Sequence, residues 1–336
     1  MWNKTVLRWV AAVLIASTSL AGCGGGEDEQ LIKVGSTGTS LTFTPITAPV
    51  ALDSFADQGL EVELTDFAAS SPNALAALTG GGTQVGVIGA SNVFDAIEAG
   101  APLVVIGGST RMASEMAVNA DVAEERGLSA DAPIAERVRD LKGLTIHTTA
   151  PGGATSQTLR VMLKQYGLDP DEDVKIVPSE PSRIIAGLSD GSVDAAFYST
   201  GTMDNNYLDG SALQYINLPR GDVPELTDSL FVLHVTTKKY YDEHRETLAR
   251  YMDAVRAAGK ELGEEPLPEL KEKYFPDMAD DLFASAWSSV HGAWIGDASI
   301  SEEQWEASLK LQTEITGKDY SDLDYGTYVH IPTSES

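Results

Sequence analysis

The segment "HTTAPGGATSQTLRVML", residues 147–163, places a glycine turn and small hydroxyl side chains directly before a helical pattern. The first backbone N–H groups of a helix have no acceptor within the helix. Together with the positive end of the helix dipole, they can bind an anionic or strongly polar group. The turn therefore predicts a ligand seat, with a plain helix start as the alternative. The residues of this predicted seat are Thr149, Gly152, Gly153, Ala154, Thr155 and Ser156.

The same turn lacks the motifs of nucleotide binding, and the chain lacks those of common enzymes. Neither G-x-x-x-x-G-K-[ST] nor G-x-G-x-x-G is present, and Lys164 lies too far along the helix. The five histidines show no metal-binding spacing, and no G-x-S-x-G elbow occurs. His147 is the one candidate for chemistry, with a structural or ligand-contacting role as its alternative. We therefore expect no enzyme, no metal and no cofactor.

Further candidate ligand contacts follow other predicted strands, because open α/β sheets bind ligands beyond the carboxyl ends of their strands. These candidates are Thr37, Thr39, Ser70, Ser71, Ser91, Asn92, Ser109, Arg111, Tyr198, Ser199 and Thr200. Each hydroxyl could instead cap a helix, and Ser91 or Asn92 is the expected cap of its helix. Arg111 could pair with a sulfonate or carboxylate, or lie in solvent. Tyr198 or Phe43 could stack on a planar ring, or pack in the core.

The elements that must position these residues alternate along the chain. Apolar or period-2 runs predict strands at 31–36, 60–67, 83–90, 102–109, 114–121, 142–149, 173–179, 192–200, 211–218 and 228–235. Amphipathic patterns predict helices at 46–59, 71–81, 91–101, 155–166 and 181–191, a long helix after 236, and helices in the tail. Gly59 is expected to end the first helix, and Ser301 and Gln304 to form a capping box.

This order predicts two consecutive α/β units, each with a mostly parallel sheet and helices on both faces. The tail is expected to fold back on the first unit. Two units whose ligand-binding edges face each other would form a cleft that closes about a hinge. Trp287, Trp294 and Trp305 all lie in the tail and are interpreted as packing residues.

The first thirty residues indicate export. Lys4 and Arg8 precede an apolar run at 10–16 that is too short to remain in a bilayer as a spanning helix. The run ends in Leu-Ala-Gly-Cys at Cys23, which resembles the bacterial lipobox, with a plain signal peptide as the alternative. We predict a leader at 1–22, lipid on Cys23, and a flexible tether at 23–30.

Composition narrows the remaining classes. The net charge of −27 disfavours nucleic acid and anionic membrane surfaces as partners. The hydrophobic fraction of 43% is that of a folded protein and not of a disordered chain. Cys23 is the only cysteine, so no disulfide within the chain can form. Stability must therefore come from burial of a core.

Three segments carry a resemblance to a known family. They are "QVGVIGASNVFDAIEAGAPLVVIGG" (84–108), "DLKGLTIHTTAPGGATSQTLRVMLKQYGLDPDEDVKIVP" (140–178) and "IIAGLSDGSVDAAFYST" (184–200). The chain from about 31 to 325 resembles the solute-binding proteins of nitrate, taurine and alkanesulfonate ABC importers. That superfamily also includes binders of thiamine-precursor pyrimidines. The motifs are specific for the family and say little about the ligand.

The resemblance implies a type II periplasmic-binding-protein fold, with two α/β lobes, a hinge and an interlobe cleft. We assign lobe 1 to 31–115 and 240–330, and lobe 2 to 116–239. The implied partners are a small-molecule ligand, an ABC permease and its ATPase, and a membrane reached through the lipid. We expect a monomer on the extracytoplasmic side, holding a ligand with an anionic or carbonyl-rich end.

Two alternative functions remain open on this fold. One is an enzyme related to eukaryotic pyrimidine-precursor synthases, although their cysteine-rich motif is absent here. The other is a ligand-sensing lobe for a membrane signalling partner.

Overall fold

The computed structural model describes residues 30–68, 70–151 and 153–334. The predicted leader, tether and lipidated Cys23 lie outside these residues, as does Gly152. The strands are β1 (Gln30–Ser36), β2 (Leu60–Asp66), β3 (Val85–Gly89), β4 (Leu103–Arg111), β5 (Ser114–Asn119), β6 (Thr145–Thr148), β7 (Lys175–Pro178), β8 (Ala195–Ser199), β9 (Ala212–Asn217) and β10 (Leu230–Thr237).

Helices connect most of these strands and form the C-terminal part of the chain. They are α1 (Thr44–Ala51), α2 (Ser71–Thr79), α3 (Ala90–Glu98), α4 (Ala120–Arg126), α5 (Ile134–Arg139), α6 (Ala154–Gln165), α7 (Pro181–Asp190), α8 (Asp204–Leu208), α9 (Pro224–Thr227), α10 (Lys238–Glu243), α11 (Arg245–Gly259), α12 (Pro268–Tyr274), α13 (Asp280–Val290), α14 (Glu302–Thr316) and α15 (Tyr325–Tyr328). Short 3-10 turns cover Leu41–Phe43, Ala56–Gln58 and His291–Ala293.

The strands form two five-stranded sheets, in the orders β2-β1-β3-β10-β4 and β7-β6-β8-β5-β9. Three strands of each sheet pair in parallel, as the alternating pattern predicts. However, β10 and β5 are antiparallel to both of their neighbours, so the sheets are mixed and the prediction of mostly parallel sheets is corrected. β5 follows β4 directly, and β10 follows β9 after only the four-residue helix α9, so neither strand is preceded by the long crossover helix that returns a chain to a parallel strand of the same sheet.

The chain crosses between the sheets twice. It leaves the first sheet through residues 112–113, between β4 and β5, and returns through 218–229, between β9 and β10. The predicted second lobe, 116–239, includes β10, but β10 hydrogen-bonds to β3 and β4 in the first sheet. That part of the predicted boundary is therefore displaced by one strand. The reason is that sheet membership depends on long-range pairing, which the local pattern does not record.

The first sheet is covered on both faces. The side chains of Val85, Val87 and Ile88 in β3 are fully buried, as expected for a continuous apolar strand between two helical layers. The tail supplies part of this cover, because Trp305 of α14 packs edge-on against Phe94 of α3 with ring centroids 5.1 Å apart. Trp305 of the tail therefore packs against a helix of the first unit.

The second sheet is covered by α6, whose predicted apolar stripe faces the core. Leu159, Met162 and Leu163 are fully buried against the strands, and Tyr166 is half-buried at the edge of the same cluster. The amphipathic spacing of this helix therefore gives its packing face correctly.

The predicted capping box at Ser301 is confirmed, but two helices are shorter than predicted. Gly59 does not end the first helix, as predicted, but ends the separate 3-10 turn Ala56–Gln58 with a left-handed φ of 66°. Helix 46–59 instead stops at Ala51, because Asp53 takes a positive φ of 54° and turns the chain. The long helix after 236 is divided at His244, which lies between α10 and α11.

The three tail tryptophans are packing residues, as predicted. Trp287, Trp294 and Trp305 are all buried, and each indole N–H donates to a backbone carbonyl. The bond from Trp294 Nε1 to the Leu41 oxygen is 2.9 Å long. It joins the tail to the loop that follows β1.

Candidate functional site

A cavity of about 620 Å³ lies between the strand ends of the two sheets. The first sheet contributes the loops after β1, β2 and β3, the second contributes the loop after β8 and the start of α6, and the tail closes one side. The lining residues are Thr37, Gly38, Thr39, Ser40, Leu41, Thr42, Phe43, Asp66, Ala68, Ser71, Gly89, Ala90, Ser91, Asn92, Ala154, Ser199, Thr200, Gly201, Thr202, Phe231, Val232, Phe275, Met278 and Ala286. This volume suits a small organic molecule.

The loop after β1 is held in place by its own hydrogen bonds. Ser36 Oγ donates to the Gly38 oxygen at 2.6 Å, and the Thr37 N–H donates to the Val87 oxygen at 3.1 Å. A side chain at position 38 would place its Cβ 2.7 Å from the Phe43 ring, so any larger residue would require that ring to move. Thr37 and Thr39 of this loop line the cavity.

The turn from β3 into α3 forms a second wall. Gly89, and not the predicted Ser91 or Asn92, is the N-cap residue, because the chain becomes helical two residues earlier than a cap at Ser91 would give. An ideal Cβ on Gly89 would lie 3.5 Å from Ser71 Oγ and 3.7 Å from Asn92 Nδ2. Ser71 and Asn92 therefore lie beside this glycine, and both line the cavity together with Ser91.

The glycine turn before α6 contributes less to the cavity than the sequence predicts. Helix α6 begins at Ala154 with Gly153 as N-cap, as expected, and Ala154 lines the cavity. Thr149 Oγ1 accepts a hydrogen bond from the Ser156 N–H at 3.2 Å, so this hydroxyl serves the helix start. Thr155 and Ser156 are buried beside it, and neither they nor Gly153 line the cavity.

The loop after β8 brings the second sheet to the cavity through Ser199 and Thr200. The Thr200 N–H donates to the Ala113 oxygen at 3.1 Å, which ties this wall to the first crossover. Gly201 then turns the chain with a φ of 85°, a conformation that favours glycine. Tyr198 precedes these residues and is not among those that line the cavity.

Arg111 and Ser109 lie at the crossover and do not line the cavity. Arg111 Nη1 is 3.1 Å from Asp228 Oδ1, and its Nη2 donates to the Gly292 oxygen at 3.1 Å. Ser109 is fully buried within β4. Both residues lie in β4, the strand that leads out of the first sheet, so we interpret their contacts as structural.

The sequence analysis did not predict three of the apolar residues that line the cavity, nor the acidic one. Phe231 of β10, with Phe275 and Met278 from the tail, lines the cavity beside Phe43. Asp66 ends β2 and is the only charged side chain among the described lining residues, which include no Lys, Arg or His. The position of Asp66 at a strand end was a usable signal, whereas the tail residues follow no strand of either sheet.

His147, the one sequence candidate for chemistry, lies away from the cavity, and the described residues form no metal-ligand cluster. His147 is buried outside the cavity with Nδ1 2.8 Å from Ser179 Oγ. Burial, and then the positive charge of Arg183, lowers its pKa. No cluster of three potential metal ligands occurs in the described ranges. Within those same ranges, no helix has the length and apolarity needed to cross a membrane.

Comparison with solved structures identifies the fold class of the chain. The alkanesulfonate-binding protein SsuA of Xanthomonas axonopodis, bound to MOPS, superposes with a TM-score of 0.63 at 18% identity, over 90% of this chain and 98% of that one. The nitrate-binding protein NrtA of Synechocystis gives 0.60 at 16%, over 89% and 84%. A Candida albicans protein with the generic periplasmic-binding-protein fold gives 0.58 at 14%, over 90% and 97%. The chain therefore has a periplasmic-binding-protein fold.

A match between the sequence and a family profile identifies the family of this chain. The profile described as "NMT1/THI5 like" matches residues 41–267, and the chain belongs to that family. No curated protein sequence matches the chain significantly.

Proposed function

We propose that this chain is the extracytoplasmic solute-binding protein of an ABC importer. It captures a small organic or oxyanionic solute in the cavity between its sheets and passes the solute to a membrane permease. The observation that supports this most strongly is the cavity itself, because polar loops from both sheets line it. In this proposal the two crossovers at 112–113 and 218–229 act as the hinge about which the sheets close.

The proposal includes a lipid on Cys23, which would hold the protein at the membrane surface beside its permease. The lipobox-like sequence and the polar tether at 23–30 support this anchor. The intact mass of the purified mature protein tests it, and a mass without added acyl chains would remove the anchor from the proposal.

Ligand capture predicts a thermal shift that depends on Gly89. In the purified protein, a true solute should raise the melting temperature in a concentration-dependent way, because it binds only the folded state. Gly89→Val should abolish this shift, since the methyl groups of the valine would occupy cavity space between Ser71 and Asn92. The solutes to be tested are sulfonates, nitrate, carboxylates, heterocycles and amines. If the two sheets close on the solute, the protein should also become more compact, which small-angle scattering measures.

Gly263→Val is the matched control, because no described atom lies within 4 Å of an ideal Cβ at that position. It should leave the ligand shift intact. A protein that no solute stabilises, or a shift that survives Gly89→Val, contradicts capture in this cavity. Mass spectrometry of the recovered ligand distinguishes a receptor from an enzyme, because only an enzyme would release an altered compound.

A further inference from the structure

The charge of the cavity wall bears on the kind of ligand it accepts, and this step rests on the proposed function. Asp66 is the only charged side chain among the described lining residues. A fully charged anion in this cavity would face that carboxylate and would have no cationic side chain beside it. Burying a charge without a partner is unfavourable, whereas a cation would find its counter-ion in place.

The carboxylate of Asp66 is oriented by the loops around it. Its Oδ1 accepts a hydrogen bond from the Ala68 N–H at 2.7 Å, and its Oδ2 accepts one from Thr39 Oγ1 at 3.3 Å. Each carboxylate oxygen can accept more than one hydrogen bond, so both retain capacity for a ligand donor. Asp66 is also exposed, so an incoming molecule can reach its carboxylate.

Another part of the wall is apolar. Phe43, Phe231, and the pair Phe275 and Met278 come from three separate segments and line the same space. Aromatic faces attract organic cations as well as flat apolar rings, and a thioether adapts to either shape. This wall suits the apolar body of a ligand whose polar end lies elsewhere.

The helix starts at the cavity do not reverse this preference. Helix α3 begins at Ala90 and carries only a partial positive charge at its first N–H groups. A hydroxyl or carbonyl oxygen on the ligand satisfies such groups without a full negative charge. The neighbouring side chains Ser91 and Asn92 are neutral and can donate or accept.

We infer that the solute is an organic cation, with an ammonium or amidinium group bound by Asp66 and a ring-sized apolar body against the aromatic wall. Asp66 is then the residue that determines the charge preference of the site. This assignment replaces the anionic end suggested by the glycine turn, since that turn contributes only Ala154 to the described lining.

Matched probes test the charge preference. Each set shares one scaffold and differs only in its end group: phenethylamine, 2-phenylethanol and 3-phenylpropionate, then tryptamine, tryptophol and indole-3-propionate. Thermal shift and calorimetry on the purified full mature protein should show the amines binding at least about tenfold more tightly than the carboxylates. Asp66→Asn should reduce amine affinity about tenfold while keeping the acceptor for the Ala68 N–H.

The control is Glu61→Gln, which removes an exposed carboxylate from the same strand outside the cavity lining. It should leave amine affinity within twofold. If the carboxylates bind as well as the amines, or if Asp66→Asn leaves amine binding unchanged, the inference is overturned while solute capture stands. If neither amine binds, the inference is also overturned, and the wider solute assay with Gly89→Val decides the proposed function separately.

Discussion

Glu115 of β5 and Asp204 of α8 are carboxylic acids with no exposed surface. Gln214 Nε2 donates to Glu115 Oε2 at 2.8 Å, and Ser285 and Ser289 of α13 donate to Asp204 Oδ1 at 2.8 and 2.9 Å. Burial, followed by the charge of Asp204, raises the pKa of Glu115 to about 8. Burial also raises the pKa of Asp204. The folded protein therefore favours a protonated Glu115 near neutral pH.

This raised pKa predicts that stability falls as the pH rises from about 4.5 to about 8. Over that range the folded state retains a proton that the unfolded state has lost, and the slope contributed by Glu115 is at most roughly 1.4 kcal/mol per pH unit. Glu115→Gln should flatten this dependence, since an amide does not ionise and still accepts from Gln214. Urea unfolding at pH 5, 6, 7 and 8 measures the difference.

Glu124→Gln, on an exposed position of α4, serves as the control and should keep the wild-type slope. Equal slopes in wild type and Glu115→Gln would contradict the assignment. The sequence indicated that residue 115 lies in a strand, but not that its neighbour is Asp204. Partners so far apart in the chain are brought together only by tertiary packing.

At the scale of elements, α11 passes against the loop before α14 with no room for a side chain. An ideal Cβ on Gly259 would lie 1.8 Å from the Gly296 oxygen, and one on Gly296 would lie 2.7 Å from the Gly259 oxygen. In the sequence, Gly259 looks like an ordinary residue near a helix end. Its requirement comes from a backbone contact that no local pattern records.

Gly259→Ala should therefore destabilise the fold by about 1–3 kcal/mol or more, because backbone atoms must move to admit the methyl group. Chemical denaturation measures this cost. Gly263→Ala is the control and should change stability by less than about 0.5 kcal/mol, since its Cβ meets no described atom within 4 Å. Equal effects of the two substitutions would contradict the close packing of Gly259 against Gly296.

Strand order and helix faces differ in how far the sequence predicts them. The stripe on α6 and the capping box of α14 follow from spacing and are confirmed. The direction of β5 and β10 depends on which sheet each strand joins, so the pattern of apolar residues does not determine it. The division of the chain into lobes failed at β10 for the same reason.

At the scale of the whole molecule, the sequence predicted the polar residues that line the cavity better than the apolar ones. Strand ends gave Thr37, Thr39, Ser71, Ser91, Asn92, Ser199 and Thr200, all of which line it. Phe275 and Met278 were not foreseen, because the tail reaches the cavity through packing around Trp287 and Trp294. The ligand contacts of these residues remain predictions.

The net charge of −27 predicts that salt stabilises the protein. Like charges on the surface repel one another in the folded state, and added ions screen that repulsion. The melting temperature should rise between about 10 mM and 1 M sodium chloride, most steeply at the low end, where the Debye length shrinks fastest. Sucrose at matched osmolality controls for solvent effects, and a flat or falling curve with salt would contradict the expectation.

The bond from the Trp294 indole to the Leu41 oxygen gives the protein a built-in optical reporter. Leu41 lines the cavity, and Trp294 lies edge-on to Trp287 with ring centroids 4.5 Å apart. If solute entry displaces the loop after β1, the surroundings of Trp294 and its neighbour Trp287 change. Intrinsic fluorescence, without an attached dye, would then follow occupancy of the cavity in real time.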